Sequence, residues 1–232
     1  MLRRLTALHR WLGLLIGLQL IAWSIGGLYF AAHDIDAIHG DTLRRVSEPA
    51  TVDGAAIRLP PFRGGEMVRG AKLLFRSGVP VWEVRSPEAT RLLDARTGLE
   101  LPSLTEVEAR AIVAADYSGS GPLQSARLIE REAPLEYRDK VLPAWLVEIS
   151  DPDSTHVYVD ARTGAVTAYR TASWRRWDFL WMLHIMDYRN REDSHNPILF
   201  VAAVLALSTT ASGLTLWAGR ASRRWLRRRS ER

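Results

Sequence analysis

Trp11-Leu-Gly-Leu-Leu-Ile-Gly-Leu-Gln-Leu-Ile-Ala-Trp-Ser-Ile-Gly-Gly-Leu-Tyr-Phe-Ala-Ala32 runs for 22 residues without a charge, and Pro197 to Ala218 does the same for another 22. At a rise of about 1.5 Å per residue, each makes roughly 33 Å of helix, enough to cross the hydrocarbon core of a bilayer. The spacing therefore predicts a membrane protein with one span near each end of the chain.

Working outward from the spans, the charge divides unevenly. Residues 1 to 32 carry Arg3, Arg4 and Arg10 and no acid, and residues 196 to 232 carry seven Arg against one Glu. The remaining residues, 33 to 195, hold 21 Lys+Arg and 25 Asp+Glu. Basic flanks stay on the cytoplasmic side of a span, so both termini are expected in the cytoplasm and residues 33–195 across the membrane from them. The Arg-rich tail, residues 220–232, comes directly after a span, which makes anionic lipid headgroups its expected partner rather than nucleic acid. A cleaved secretory signal is the rival reading of the first segment. Such signals have an apolar core of only about 7 to 15 residues, and Trp11, Trp23 and Tyr29 sit where interfacial aromatics would, so an uncleaved anchor is expected. There are no cysteines, which excludes disulfides, thiolate metal sites, a thiol nucleophile and covalent c-type haem.

Between the spans an internal repeat organises the chain. Pro80-Val-Trp-Glu-Val84 returns as Pro143-Ala-Trp-Leu-Val147, and Asp94-Ala-Arg-Thr-Gly98 returns unchanged as Asp160-Ala-Arg-Thr-Gly164. Apolar and polar residues alternate through Val81–Val84 and His156–Val159, so both copies read as β structure, and each Asp-Ala-Arg-Thr-Gly reads as the turn of a hairpin, with Asp bonding the backbone ahead of it and Gly supplying a positive φ. Arg96 and Arg162 read as solvated turn charges. Ser103 to Tyr117 reads as a helix opened by a Ser-x-x-Glu capping box, Ser103 to Glu106, with Leu104, Val107, Ala111 and Ala114 as its buried stripe. Ser118 and Ser120, among glycines, lack the Gly-x-Ser-x-Gly order of a nucleophile elbow and read as loop.

The expected organisation is an α+β domain, helix on antiparallel sheet in two repeats, between two transmembrane helices. The first span lies in residues 1–33, the repeats in 40–103 and 104–171, and the second span in 196–219. Trp174, Trp177, Trp181, His184 and Tyr188 fall at intervals of 3, 4, 3 and 4, which aligns them on one side of an interfacial helix over residues 172–190. Gly13 and Gly17 form a Gly-x-x-x-Gly pair; it suits a homodimer or, the simpler reading, packing of one span on the other within the chain, with Gln19 as an interhelical bond.

Several of these stretches resemble one family. Leu8-His-Arg-Trp-Leu-Gly13, continuing through Gly17, Gln19, Trp23 and Gly27 to Asp34-Ile-Asp36, resembles the first helix of PepSY-associated transmembrane proteins. Leu180-Trp-Met-Leu-His184 and Ser212-Gly-Leu-Thr-Leu-Trp217 resemble the last, and the paired hairpins resemble PepSY domains. The resemblance implies a periplasmic module held at the inner membrane. PepSY modules are associated with peptidase propeptides and with restraint of proteases. Larger members with more spans resemble ferric-siderophore reductases that carry b-type haem between membrane histidines, an arrangement from which this two-span chain departs.

Four of the six histidines, His33, His39, His184 and His195, flank the spans on the outer side; His9 lies at the inner end of the first. If the first helix continues past the membrane, His33, Asp36 and His39 cover an arc of about 120°, a two-His, one-carboxylate face for a divalent metal; the simpler reading places them in the headgroup layer as helix caps. From His9 to His33 is roughly 36 Å along a straight helix, too far for one iron. A haem would therefore be held at the outer face by His184 with His33 or His195, or at the inner face by His9 from two chains. The soluble part shows no Ser/His/acid order, no phosphate-binding Gly loop and no zinc helix, and His156 reads as a strand-face residue. The expected function is a non-enzymatic membrane-anchored module that binds a protein or peptidase partner. The alternative is a haem b electron-transfer subunit serving iron reduction, and a third reading is a metal sensor at the outer face.

Overall fold

A computed structural model describes residues 2–62 and 64–230, with the backbone alone for residues 2–5, 8 and 224–230. Two units make up the chain: residues 1–34 with 176–232, and residues 35–175. The side chains of most of the basic tail fall outside the described residues.

The first unit is built on α1 (Leu2–Ala32) and α5 (Pro197–Ser230). Among the described residues these are the two helices long and apolar enough to cross a membrane, over His9–Ala32 and Pro197–Arg223. They run antiparallel, and small residues set their contact. Gly13 faces the Thr209 methyl, and a Cβ on Gly213 would stand 3.0 Å from the His9 ring, so the bare glycine is what lets the imidazole lie against α5. His9 Nδ1 and Ser212 Oγ share a hydrogen bond of 2.8 Å. Gly17 has nothing within 4 Å of its Cβ position, so only the first glycine of the pair is spent on the intrachain contact.

The condition for a His33, Asp36 and His39 face, that α1 run on to His39, is not met. The helix stops at Ala32, and a separate short helix, α2 (Ile35–His39), begins after a break at His33 and Asp34. Inside the apolar run each backbone group must bond within the helix, but past Ala32 water and the side chains of His33, Asp34 and Asp36 compete for them. The single helical face that aligned His33, Asp36 and His39 is lost with that break.

The soluble unit carries two antiparallel sheets among its described residues. The first is β1 (Gly70–Arg76), β2 (Val79–Arg85) and β3 (Thr90–Asp94), in that order; the second is β4 (Leu123–Ile129), β5 (Ala144–Ile149), β6 (His156–Asp160) and β7 (Val166–Arg170). The sequence repeat maps onto equivalent places in the two sheets, and its chemistry is duplicated bond for bond. Asp94 Oδ1 accepts from the N–H groups of Arg96 and Thr97 at 2.8 Å, and Asp160 Oδ1 accepts from Arg162 and Thr163 at 2.8 and 3.2 Å. Gly98 and Gly164 take φ of 74° and 75° and donate back to the carbonyls of Asp94 and Asp160. Even the tryptophans agree. Trp82 Nε1 donates to Arg58 O and Trp145 Nε1 to Leu104 O, while the N–H groups of Arg58 and Leu104 donate to the carbonyls of Ala95 and Ala161.

Beyond Arg58 and Leu104 the two copies diverge. After Leu104 comes α3 (Glu106–Asp116), which covers one face of the second sheet, placing Val113 among Val147, Ile149, Val157, Val159 and Tyr169. After Arg58 comes an irregular stretch, rich in Pro and Gly, that holds the first sheet through a two-pronged Glu66–Arg91 ion pair at 2.8 and 2.6 Å. Arg162 also departs from expectation. Arg96 is exposed, but Arg162 donates to Leu142 O at 2.6 Å and braces the chain entering β5.

Helix α3 corrects two further expectations. Its N-cap is Thr105, whose hydroxyl accepts from Glu108 N–H while the Glu108 carboxylate accepts from Thr105 N–H, a capping box two residues later than Ser103–Glu106. The reason is Leu104, which is 5% exposed and gives both its N–H and its carbonyl to the second repeat, so its backbone is not free to begin a helix. With that start the buried positions are Ala109 and Val113, whereas Val107, 77% exposed, Ala111 and Ala114 face outward.

Candidate functional site

On the face of the second sheet opposite α3, a polar cluster gathers around Glu136. It belongs to a single 3₁₀ turn, Leu135–Tyr137, opened by Pro134. Tyr137 fixes that turn: fully buried, it stacks on Tyr158 at 4.1 Å with 8° between the rings, and its hydroxyl bonds Thr167 Oγ1 and Val141 O. Glu136 is thereby held over β6. Its Oε1 accepts from the Tyr158 hydroxyl at 2.7 Å and from His156 Nδ1 at 2.5 Å, and its Oε2 accepts from Arg175 Nε at 2.8 Å. Its carbonyl accepts from Arg170 Nε at 2.6 Å, and the Arg170 guanidinium lies 4.1 Å from the Trp174 ring centre.

Burial alone would raise the Glu136 carboxyl, but the bonds from His156, Arg175 and Tyr158 outweigh it and hold the group at about 2. Burial, with the adjacent carboxylate, pushes the Tyr158 phenol above its usual range. A permanent carboxylate is a weak proton acceptor at neutral pH and a phenol held neutral is a weak nucleophile, so the cluster acts as a clasp between the 3₁₀ turn, β6 and the first turn of α4 (Ala172–Ile185). The sequence placed His156 on a strand face, which is where it lies. Glu136 carried no local signal, because its partners come from residues 156 to 175.

In the other unit, His184 sits among aromatic rings. Trp181 stacks on it at 6.2 Å and 7°, Phe30 meets it edge-on at 5.8 Å, and Trp23 lies at 6.3 Å. The side chains of α1 also close the end of α4: Gln19 Nε2 donates to Leu183 O at 3.0 Å and Trp23 Nε1 to His184 O at 2.7 Å, satisfying carbonyls that the helix itself leaves open. Gln19 thus makes an interhelical bond, to α4 and not to the second span. Among the described residues, His184 Nδ1 is buried with no hydrogen-bond partner.

The profile of the family described as PepSY-associated TM region matches residues 6–232. The chain belongs to that family. Comparison with curated proteins and with solved structures finds no match. The PepSY match spans both apolar helices and the two sheets together, so membrane helices and PepSY repeats are parts of one family architecture.

Within this PepSY chain the remaining histidines occupy separate surroundings. His33 stacks on Tyr29 at 4.0 Å with Nδ1 2.9 Å from Tyr29 O, and His195 is exposed beside Ser194. Neither is a ring neighbour of His184. His9 is occupied with Ser212. Among the described residues, no group of three or more His, Cys, Asp or Glu side chains is placed to hold a metal ion. Of the acids beside the histidines, Asp187 serves the backbone: it accepts from Glu192, Asp193, Asn190 and Arg189 N–H groups, which hold its carboxyl at about 2 and fold the loop before α5. Asp178, 3% exposed, pairs with Arg191 at 2.5 Å and secures the same loop.

Proposed function

We propose that this PepSY chain is a non-enzymatic module, anchored in the bacterial inner membrane with both termini cytoplasmic and residues 33–195 periplasmic, that binds and restrains a protein partner, a peptidase by family resemblance. One observation carries the reading. The carboxylates of Glu136, Asp94 and Asp160 are tied into structural bonds, while α3 leaves Val107, Ala111, Ala114 and Ala115 uncovered, an apolar row with no role in its own core. A photo-crosslinking residue at Val107 is expected to give a discrete adduct in intact membranes that is absent when the same residue replaces Glu130. A protein purified with haem supply is expected to be colourless. A Soret band that disappears on His184→Ala would overturn the proposal.

A second reading is favoured by His184 alone. A buried imidazole nitrogen without a partner, in an aromatic setting, fits one axial position of a haem b. The fit is partial. Among the described residues no second histidine is a ring neighbour, and the apolar groove of about 630 Å³ in the same unit is lined by residues such as Leu15, Gln19, Met186 and Val201, with no histidine among them.

A further inference from the structure

Resting on the partner-binding reading, we infer that the docking site is the cleft beside α3, and that its occupant is an extended acidic segment of the partner protein. The cleft measures about 490 Å³, within the range of pockets that hold small molecules and short peptide stretches. Its floor is Ala111, Ile112 and Ala115 of α3, and its rim carries Arg44, Arg45 and Ser47.

The chain from Arg44 onward forms one wall as extended backbone. Arg44 has φ −86° and ψ 138° and bridges to Tyr117, and Arg45 N–H donates to Asp116 O at 2.6 Å. A strand-like wall over a shallow apolar floor suits an extended peptide, whose alternate side chains point down and out. The small side chains on the floor leave room for a partner's valine-sized groups.

Charge decides which extended peptide. Arg44 is fixed: its Nη2 donates to Val166 O at 3.1 Å, its guanidinium lies 5.4 Å from the Tyr169 ring centre, and Asp41 stands 3.5 Å away. Its Nε, buried and without a hydrogen bond, is the atom that faces Asp41. Arg45 is exposed, its backbone pinned and its guanidinium unengaged among the described residues. The lining's single acid, Asp116, is already engaged by the Tyr169 hydroxyl at 2.7 Å. With Arg44 facing Asp41 and Asp116 engaged by Tyr169, Arg45 is the rim cation without an anionic partner among the described residues, in a soluble unit that is acidic as a whole. A carboxylate of the guest meets the Arg45 guanidinium at the rim.

The test uses the full chain in phosphatidylcholine nanodiscs and a dye-labelled octapeptide of alternating glutamate and valine, with the lysine–valine octapeptide as its counterpart, read by fluorescence anisotropy. The glutamate peptide is expected to bind saturably at one per chain and the lysine peptide at least about tenfold more weakly. Arg45→Glu is expected to weaken the glutamate peptide by about tenfold, and Ala111→Trp, which fills the floor, to abolish binding; both variants should melt where the parent does. Equal binding of the two peptides, undiminished binding by either variant, or no saturable binding would overturn the inference. So would binding that vanishes in phosphatidylglycerol nanodiscs, since lipid headgroups would then own the cleft. A chain that crosslinks through Val107 yet ignores the glutamate peptide sinks the acidic segment alone, whereas a His184-dependent Soret band sinks the partner-binding reading beneath it.

Discussion

Replacing Glu136 by Gln tests whether the clasp holds the soluble unit together. The carboxyl falls from its ordinary 4.5 to about 2, a preference for the charged form of about 3 kcal/mol. Solvent reaches the edge of the cluster through Arg175, whose side chain is 32% exposed, so about 2 kcal/mol is the figure to expect after screening. Glutamine keeps the shape but turns an N–H group toward Arg175 or His156, leaving donor against donor. At neutral pH the variant should melt roughly 6–8 °C below the parent, monitored by tryptophan fluorescence of the full chain in nanodiscs. The pH dependence fixes the cause. Because the folded carboxyl is depressed, its stabilisation is complete above about 4.5 and is lost as pH falls toward 2, so the gap between parent and variant should close across that window. A variant that melts within a degree of the parent at pH 7, or a gap that is as wide at pH 2 as at pH 7, would refute the reasoning.

Thr105→Ala should cost about 1 kcal/mol in chemical denaturation while Ser103→Ala stays within about 0.5 kcal/mol, because only Thr105 closes the capping box; the reverse order would restore the earlier helix start. Gly164→Ala should destabilise by about 1–3 kcal/mol, since φ is +75° and the new Cβ would lie 3.1 Å from Ile112 Cδ1; a neutral melt would show the turn to be adaptable. Reporter fusions should find residue 120 outside the cytoplasm and the tail inside it, and a reporter at both places active on one side would end the two-span topology.

The sequence by itself determined the elements whose cause is local. Twenty-two uncharged residues force a helix in lipid whatever surrounds them, and Asp-Ala-Arg-Thr-Gly closes a hairpin through bonds within five residues, so both spans and both turns were legible and recur in the structure. The start of α3 was not, because Leu104 is claimed by Ala161 and Trp145, some 40 to 57 positions further along the chain, and that claim outranks a good cap at Ser103. The conditional arc through His33, Asp36 and His39 shows the converse: a helical arc can be drawn through any polar stretch, and α1 stops at Ala32, where the apolar run ends. Tertiary structure alone decided the candidate sites. The Glu136 clasp, the aromatic surround of His184 and the cleft between Arg45 and Ala111 each join residues from 20 to more than 150 positions apart, and such distances along the chain leave no periodicity to read.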